Sequence, residues 1–396
     1  MNHPSTPVRA LLLALAALVS RSEAGWKPLT VRQMAGDAVG REIAAEGQIV
    51  TETWNRVVAV PYIVYMPAID RVLMLVGCDY PHQPMVLTSD DRGATWSQPR
   101  PVSPDPAANA AAGLGTSLTY LGLGQVVFSA GGRWFSKDFG ETWEGPVPIP
   151  AASDGQPWYQ WDPYRVDHDP ITQEPTRLIE TGYNWEGGGP ESPTGYEQGF
   201  IRFSTDCGRT WSEDIRVPQW HAVSEVALCR AKDGTLVAAC RTDMARQYFG
   251  SIDHYEGLGV CTSTDDGHTW SPVNRLYDFG RHHPCMVLMA NGDLVMTYVV
   301  RLGYPRNADG LPQFGIEAIV SRDNGASWDI AHRYVLAEWS GNRTGPNEWW
   351  ASSQATSTVL LPDGSLLTAY GTGYRSEPME NGLPGPRDVG LIHWRP

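Results

Sequence analysis

Beyond its first two dozen residues the chain has no apolar run long enough to span a bilayer, which takes about 20 residues in a helix. It has no surplus of positive charge: the formal net charge is −14 at pH 7. That argues against nucleic acid or an anionic membrane surface as a partner. It has few cysteines and no framework among them. Cys78, Cys207, Cys229, Cys240, Cys261 and Cys285 show no C-x-x-C pair and no regular spacing. Cys229, Cys240 and Cys261 fall on neighbouring strands of the expected fold, so one bridge there is allowed. No three or four ligands stand at zinc spacing, so neither metal nor cofactor is expected. No Gly/Ser/Pro-rich linker divides the chain, and 25–396 reads as one domain.

The first 24 residues read as a secretory signal. Arg9 gives a basic start, 10–19 is an apolar run, and Ser22-Glu-Ala24 is a small-x-small cleavage site near Ala24. The mature protein is therefore expected outside the cytoplasm, secreted or periplasmic; its oligomeric state is left open, with a monomer favoured. Export would permit a disulfide.

What the chain has in plenty is one octet, S-x-D-x-G-x-T/S-W, which occurs five times. It stands at 89–96, 136–143, 204–211, 263–270 and 321–328, with starts 47, 68, 59 and 58 residues apart. A period near 50 residues points to a propeller or another repeat array. The octet has the chemistry of a tight turn. The Asp carboxylate is expected to accept backbone N–H groups two residues on. The Gly supplies a positive φ, and the Trp caps the turn. Turn chemistry accounts for every fixed position, so the five Asp are not read as catalytic groups or calcium ligands.

Out of phase with the octets lie six apolar, β-prone hairpins, at 62–76, 117–129, 164–183, 223–241, 284–301 and 356–370. The sixth is followed by one last strand, 388–394, and no octet. The segment 42–54 can supply its missing fourth strand and close the ring. The expected fold is all-β: a six-bladed β-propeller of four-stranded antiparallel blades, closed by an N-terminal strand.

The octets resemble the Asp box, or BNR repeat, of the sialidase superfamily, and the resemblance covers nearly all of the chain after its start. It implies the same propeller, with the octets far from the active site. It also implies a sialic-acid chemistry of three arginines, a Tyr nucleophile with a Glu partner, and an Asp acid/base. Glu225 and Arg241 match the family's Glu and second arginine around one hairpin. Asp79, with His82 nearby, lies on the loop of the acid/base Asp. Ala59 stands where the first arginine belongs, and Ala355 where the Tyr belongs. The third arginine has loose candidates in Arg301 and Arg306.

Strand alternation sorts the chain onto two faces. The octets share one with the short turns. The long loops at 184–198, 242–257, 302–314, 338–354 and 371–387 share the other. Long loops on a rigid scaffold are where function usually sits. The acidic run Asp167-His168-Asp169 falls on the octet face and reads as solvated turn chemistry. The loop-face mouth gathers Trp158, Tyr159, Gln160, Asp162, His221, Asp243, Tyr304, Trp349, Trp350, Tyr374 and Arg375. It also holds the residues to which roles are assigned. Glu225, Asp79, His282 and His283 are the acid–base candidates. Arg241, Arg281 and Arg301 suit an anionic group, since guanidinium pairs carboxylate or sulfate. Tyr62, His82, Trp161 and Gln354 complete the substrate lining. The expected function is a glycoside hydrolase acting on an acidic or decorated glycan, without the standard nucleophile and first arginine. A polysaccharide lyase and a non-catalytic glycan-binding propeller are the alternatives.

Overall fold

A computed structural model of the chain describes residues 25–189, 192, 194–243, 256–345, 348–374 and 385–396. The signal segment, Arg375 and most of the loops 242–257 and 371–387 lie outside these residues. The β-branched, apolar arms pair with their sequence neighbours as antiparallel strands. β1 (Lys27–Ala35) and β2 (Ala38–Ile49) form the first hairpin. β3 (Val58–Met66), β4 (Arg71–Cys78), β5 (Gln83–Ser89) and β6 (Arg100–Pro101) form one four-stranded sheet. β7 (Ser117–Gly122), β8 (Gln125–Ser129), β9 (Arg133–Ser136) and β10 (Glu144–Val147) form the next. The third is β11 (Arg165–His168), β12 (Pro175–Glu186), β13 (Tyr196–Ser204) and β14 (Ile215–His221). The fourth is β15 (Val223–Arg230), β16 (Leu236–Thr242), β17 (Gly257–Ser263) and β18 (Asn274–Tyr277).

The remaining strands make one nine-stranded sheet. β19 (Arg281–Leu288), β20 (Leu294–Val300), β21 (Gln313–Ser321) and β22 (Tyr334–Ser340) lie at one end. β23 (Thr356–Leu360), β24 (Leu366–Tyr374) and β25 (Arg387–Trp394) lie at the other, with β1 and β2 between them. β2 pairs with β25 from Glu46↔His393 to Ile49↔Gly390. The closing strand thus lies where it was expected, but it spans 38–49 and gives way to a turn before Trp54. The sequence reading missed β1. It pairs with β22 through Arg32↔Val335 and Gln33↔Tyr334, which covers an edge that would otherwise be open. Six separate sheets were expected. Four are separate, and the N-terminal hairpin fuses the rest.

The array is propeller-like. β3, β7, β11, β15, β19 and β23 line one axial cavity of about 440 Å³. Tyr62, Asp162 and His283 lie toward its loop-face end, and His168, Arg230, Leu288 and Leu360 toward the octet face. Between sheets the core is aliphatic and aromatic. Arg133, Glu180 and Arg202 interrupt it as a fully buried ion triad. Arg202 also lies over the Trp158 ring at 3.9 Å.

The octets fold as turns, with two differences from expectation. In 263–270 the Ser263 hydroxyl donates to Asp265 and accepts from Gly267 N–H at 2.9 Å. Asp265 then takes the N–H and hydroxyl of Thr269, four residues on rather than two. These bonds hold its carboxyl down to about 2. The same Ser–Asp–Thr/Ser pattern recurs in the other four octets. The left-handed turn also takes two residues: the one before each Gly, such as Asp266 at φ 61°, shares the positive φ.

Two further expectations are corrected. All six cysteines are free thiols, so the bridge allowed among Cys229, Cys240 and Cys261 is absent. Cys240 and Cys261 share a hydrogen bond, and Cys261 accepts from Trp220 Nε1 at 3.2 Å. Asp167 is not a solvated turn residue. Arg177 and Arg230 each donate to it at 2.8 Å, and both also reach Asp266, which ties the third sheet to the fourth. Asp169 alone is turn chemistry, accepting from Ile171 and Thr172 N–H.

Candidate functional site

The first strands do not enter the mouth straight. β3 shifts register between Ala59 and Tyr62, β15 between Val223 and Val226, and β19 between His282 and Cys285. Such bulges re-aim side chains and are frequent beside active sites. Each comes with a non-glycine residue at positive φ: Val60 at 51°, Ala222 at 54° and His283 at 54°. A β-branched residue in that region is an outlier, and strain of about 1–3 kcal/mol per residue persists only where the surroundings enforce it.

The bulges bring residues from four sheets together. Tyr62 Oη donates to the Trp161 carbonyl at 2.8 Å and lies 3.4 Å from His283 Nε2. Trp161 thus contributes its backbone, while its indole packs against the core. Asp162, the next residue, accepts from the backbone N–H of Val226, one residue beyond Glu225. Arg241 at the end of the neighbouring strand donates to Glu225 Oε1 at 2.6 Å and pairs with Glu256. The left-handed turn at Ala222 donates its N–H to the Glu197 carbonyl and accepts from Asp243 N–H. It thereby sets the Glu197 and Asp243 carboxyls side by side, sharing a hydrogen bond.

Five carboxyl groups, Asp162, Glu197, Glu225, Asp243 and Glu256, therefore gather around one guanidinium, that of Arg241. Burial first, and the charge of Glu225 second, raise the pKa of Asp162 well above the carboxylate range. Burial first, then the bond to Asp243, raise that of Glu197. Both hold a proton at pH values where an exposed carboxyl has lost it. Glu225 is bound through one oxygen, and its Oε2 takes no hydrogen bond among the described residues. Tyr62 is pushed well up by burial and then by Asp162 and Glu225. His283 is fully buried and pushed down by that burial, with Arg241 and Arg301 adding and Glu225 opposing. It faces Tyr62 as a neutral imidazole at neutral pH.

The other side of the mouth is cationic. Arg301 donates to the Ser353 carbonyl at 3.3 Å and lies over the Trp349 ring at 5.3 Å. Arg387, fully buried, donates to the Thr372 and Ser352 carbonyls, and burial and the nearby Arg301 lower its pKa. Its backbone lies beside Arg56 and Val57, at the entry to the strand where Ala59 replaced an arginine.

Of the residues singled out in the sequence, Tyr62, His283, Glu225 and Arg241 converge, with the backbone of Trp161. His282 is buried next to His283. Asp79 stands apart from this group. Arg56 grips it at 2.7 and 2.8 Å, Gln83 donates to it, and these contacts, Arg56 foremost, keep its pKa low. His82 is half-buried beside Tyr80, pushed down by burial and then by Arg387. Arg281 turns toward Glu317 in its own sheet, where Tyr304 and Arg333 also bind. Gln354 Oε1 takes no partner among the described residues. Ala59 and Ala355 are buried in the apolar core. Sequence reasoning placed Asp162 and Asp243 at the mouth without a role. It missed Glu197, Glu256 and Arg387. Glu197 and Arg387 open strands after loops, and no local motif marks either.

No family model matches the chain, and no curated protein does. Solved structures do. A protein of unknown function from Dyadobacter fermentans superposes with a TM-score of 0.63 at 14% identity, over 94% of this chain and 100% of that one. The Hadza microbial sialidase Hz136 gives 0.58 at 13%, over 90% and 72%. The NanB sialidase of Streptococcus pneumoniae gives 0.54 at 14%, over 87% and 69%. At such identities the likeness is one of fold, and it agrees with the resemblance read from the octets: the chain has the propeller-like fold that these sialidase structures share.

Proposed function

We propose that the protein is a glycoside hydrolase acting on an anionic glycan at the loop-face mouth. The observation that carries this reading is the approach of Asp162 to Glu225, fixed by the bond that Asp162 accepts from Val226 N–H. A buried carboxyl that retains its proton lies near Glu225, whose Oε2 takes no hydrogen bond among the described residues. Glycosidic cleavage uses two carboxyl groups: one protonates the leaving oxygen, the other meets the anomeric carbon or activates water. Asp162 is the proton donor and Glu225 its partner. Arg241 holds Glu225 in place and offsets the charge around it. Arg301, on the opposite side, would meet the substrate's anionic group, with the buried Arg387 adding positive charge behind it. We count the nine-stranded sheet as two blades bridged by β1, which makes the scaffold six-bladed, and we take the mature protein to be exported. The Tyr-nucleophile route is not part of this reading, because Ala59 and Ala355 are buried methyl groups with no such chemistry.

The test is a screen of residues 25–396 on sialosides, uronate oligomers and sulfated oligomers. Reducing ends should appear with one of them. Asp162→Asn and Glu225→Gln should each lower kcat by about 100-fold or more, with folding intact. Unchanged turnover in both variants would overturn the assignment, as would release of sialic acid through a trapped tyrosine adduct. The contact of Tyr62 with neutral His283 supports a second reading, β-elimination from a uronate. A new absorbance of an unsaturated uronate, in place of simple hydrolysis, would select it. Binding without turnover would leave a glycan-binding propeller.

A further inference from the structure

The exposed hydrophobic side chains are sorted by face. Among the described residues, the large exposed ones are Val39, Ile69, Tyr80, Leu123, Tyr159, Ile171, Phe279 and Trp350. Ile69, Leu123 and Ile171 lie in first-to-second-strand turns, on the octet face. All four aromatic rings lie on the other face. Tyr80 is between β4 and β5, Tyr159 between β10 and β11, Phe279 between β18 and β19, and Trp350 between β22 and β23. Exposed apolar residues scattered singly need no explanation. Rings confined to the face that carries the charged mouth do.

Three of these rings are braced from behind. Tyr159 stacks on Tyr183 at 5.6 Å, and the two residues exchange backbone hydrogen bonds at 3.0 and 3.1 Å. Trp350 meets Trp349 edge-on at 6.2 Å. Tyr80 meets His82 edge-on at 5.8 Å. Two of the bracing rings border the mouth. Arg301 lies over Trp349, and the Tyr183 hydroxyl, pushed up by burial first and then by Glu225, lies near that carboxyl. A ring fixed by a second ring gives up little conformational freedom on binding, so its contact area converts efficiently into affinity.

Resting on the glycan reading above, we propose that the loop face binds an extended saccharide chain. Tyr159, Trp350 and Tyr80 are its stacking platforms on three sides of the mouth. The substrate class is then an anionic oligo- or polysaccharide that crosses the mouth with sugars bound on both sides of the reacting bond, not a single terminal residue. The apolar C–H faces of pyranose rings suit flat, rigid aromatic surfaces, and the charged groups between the platforms fix the register.

The experiment measures Kd and kcat/KM for uronate and sulfated oligosaccharide ladders of two to eight sugars. The wild-type protein is compared with Tyr159→Ala, Trp350→Ala and the ring-retaining control Tyr159→Phe. The wild type should bind longer chains more tightly. Each Ala variant should lose about tenfold on the long chains, equivalent to about 1.4 kcal/mol, and nothing on the shortest one bound. Tyr159→Phe should behave as wild type. Affinity independent of length, or equal losses at every length, overturns the proposal. So does failure to bind any chain in either ladder. Length-dependent binding without turnover upholds it while removing the hydrolase reading.

Discussion

Replacing Glu197 by Gln should stabilise the protein at neutral and alkaline pH, by an amount that grows with pH. Glu197 is buried and shares a hydrogen bond with Asp243. Burial, then that bond, raise its pKa above the ordinary value. In the unfolded chain a Glu ionises near about 4.3. Above that pH, folding must therefore take up a proton at this site. A carboxyl whose folded pKa is raised contributes its full stability only below the unfolded value. The contribution is lost as pH rises toward the folded one. One proton corresponds to about 1.4 kcal/mol per pH unit across that window. Glutamine keeps the shape, donates to Asp243 as the protonated acid does, and takes up nothing. The stability difference between Glu197→Gln and wild type should thus climb by about 1.4 kcal/mol per unit between about pH 6 and 8. Urea unfolding read by tryptophan fluorescence at several pH values, with refolding checked at each, measures it. A difference that stays flat with pH, or a wild type that is the more stable at the alkaline end, would refute the shared proton.

Two further outcomes are expected. Glu180→Ala removes the acceptor between Arg133 and Arg202 and leaves two buried guanidinium groups facing each other. It should cost about 3–5 kcal/mol in denaturant unfolding, and a loss under about 1 kcal/mol would show that the triad relaxes. Asp138→Ala removes the bonds from Ser136, Thr142 N–H and the Thr142 hydroxyl. It should cost about 1–2 kcal/mol and leave turnover per folded molecule untouched. A fall in rate at unchanged stability would give that octet a role in catalysis.

What could be read from the sequence was local chemistry. The octets announce themselves because Ser, Asp, Gly and Trp each satisfy one requirement of the same turn. The hairpins follow from alternating apolar arms between turn residues. Glu225 and Arg241 were legible because one hairpin fixes their spacing. β1 and β2 were harder. Most of their side chains are exposed, so burial leaves little pattern, and their partners β22 and β25 lie about 300 residues or more away in the chain. Asp79 and Arg281 had the right chemistry in the right region, but Arg56 and Glu317 engage them. The proton held by Asp162 is a property of burial beside Glu225, and Arg387 approaches the place of Ala59 from the last strand. Neither follows from local sequence.

Where the molecule carries unfavourable terms is itself informative. Most non-glycine residues at positive φ lie in turns, where the backbone requires them. Val60 and His283 instead lie within strands, and Ala222 lies between two. All three stand where first strands enter the loop-face mouth. The raised carboxyls of Asp162 and Glu197 are in the same place. The gains lie elsewhere: five hydrogen-bonded octets on the far face, the Asp167 clamp beside them, and the Arg133–Glu180–Arg202 triad between sheets. A scaffold with no use for its mouth would have no reason to keep strain and uncompensated carboxyls concentrated there, since hydrophobic packing of the same volume costs less. The distribution therefore argues for a site at the loop face on grounds independent of any likeness to sialidases. Substitutions on the octet face should be read in the melting curve alone, whereas those at the mouth, such as Glu197→Gln, should be read in stability as well as in binding and turnover.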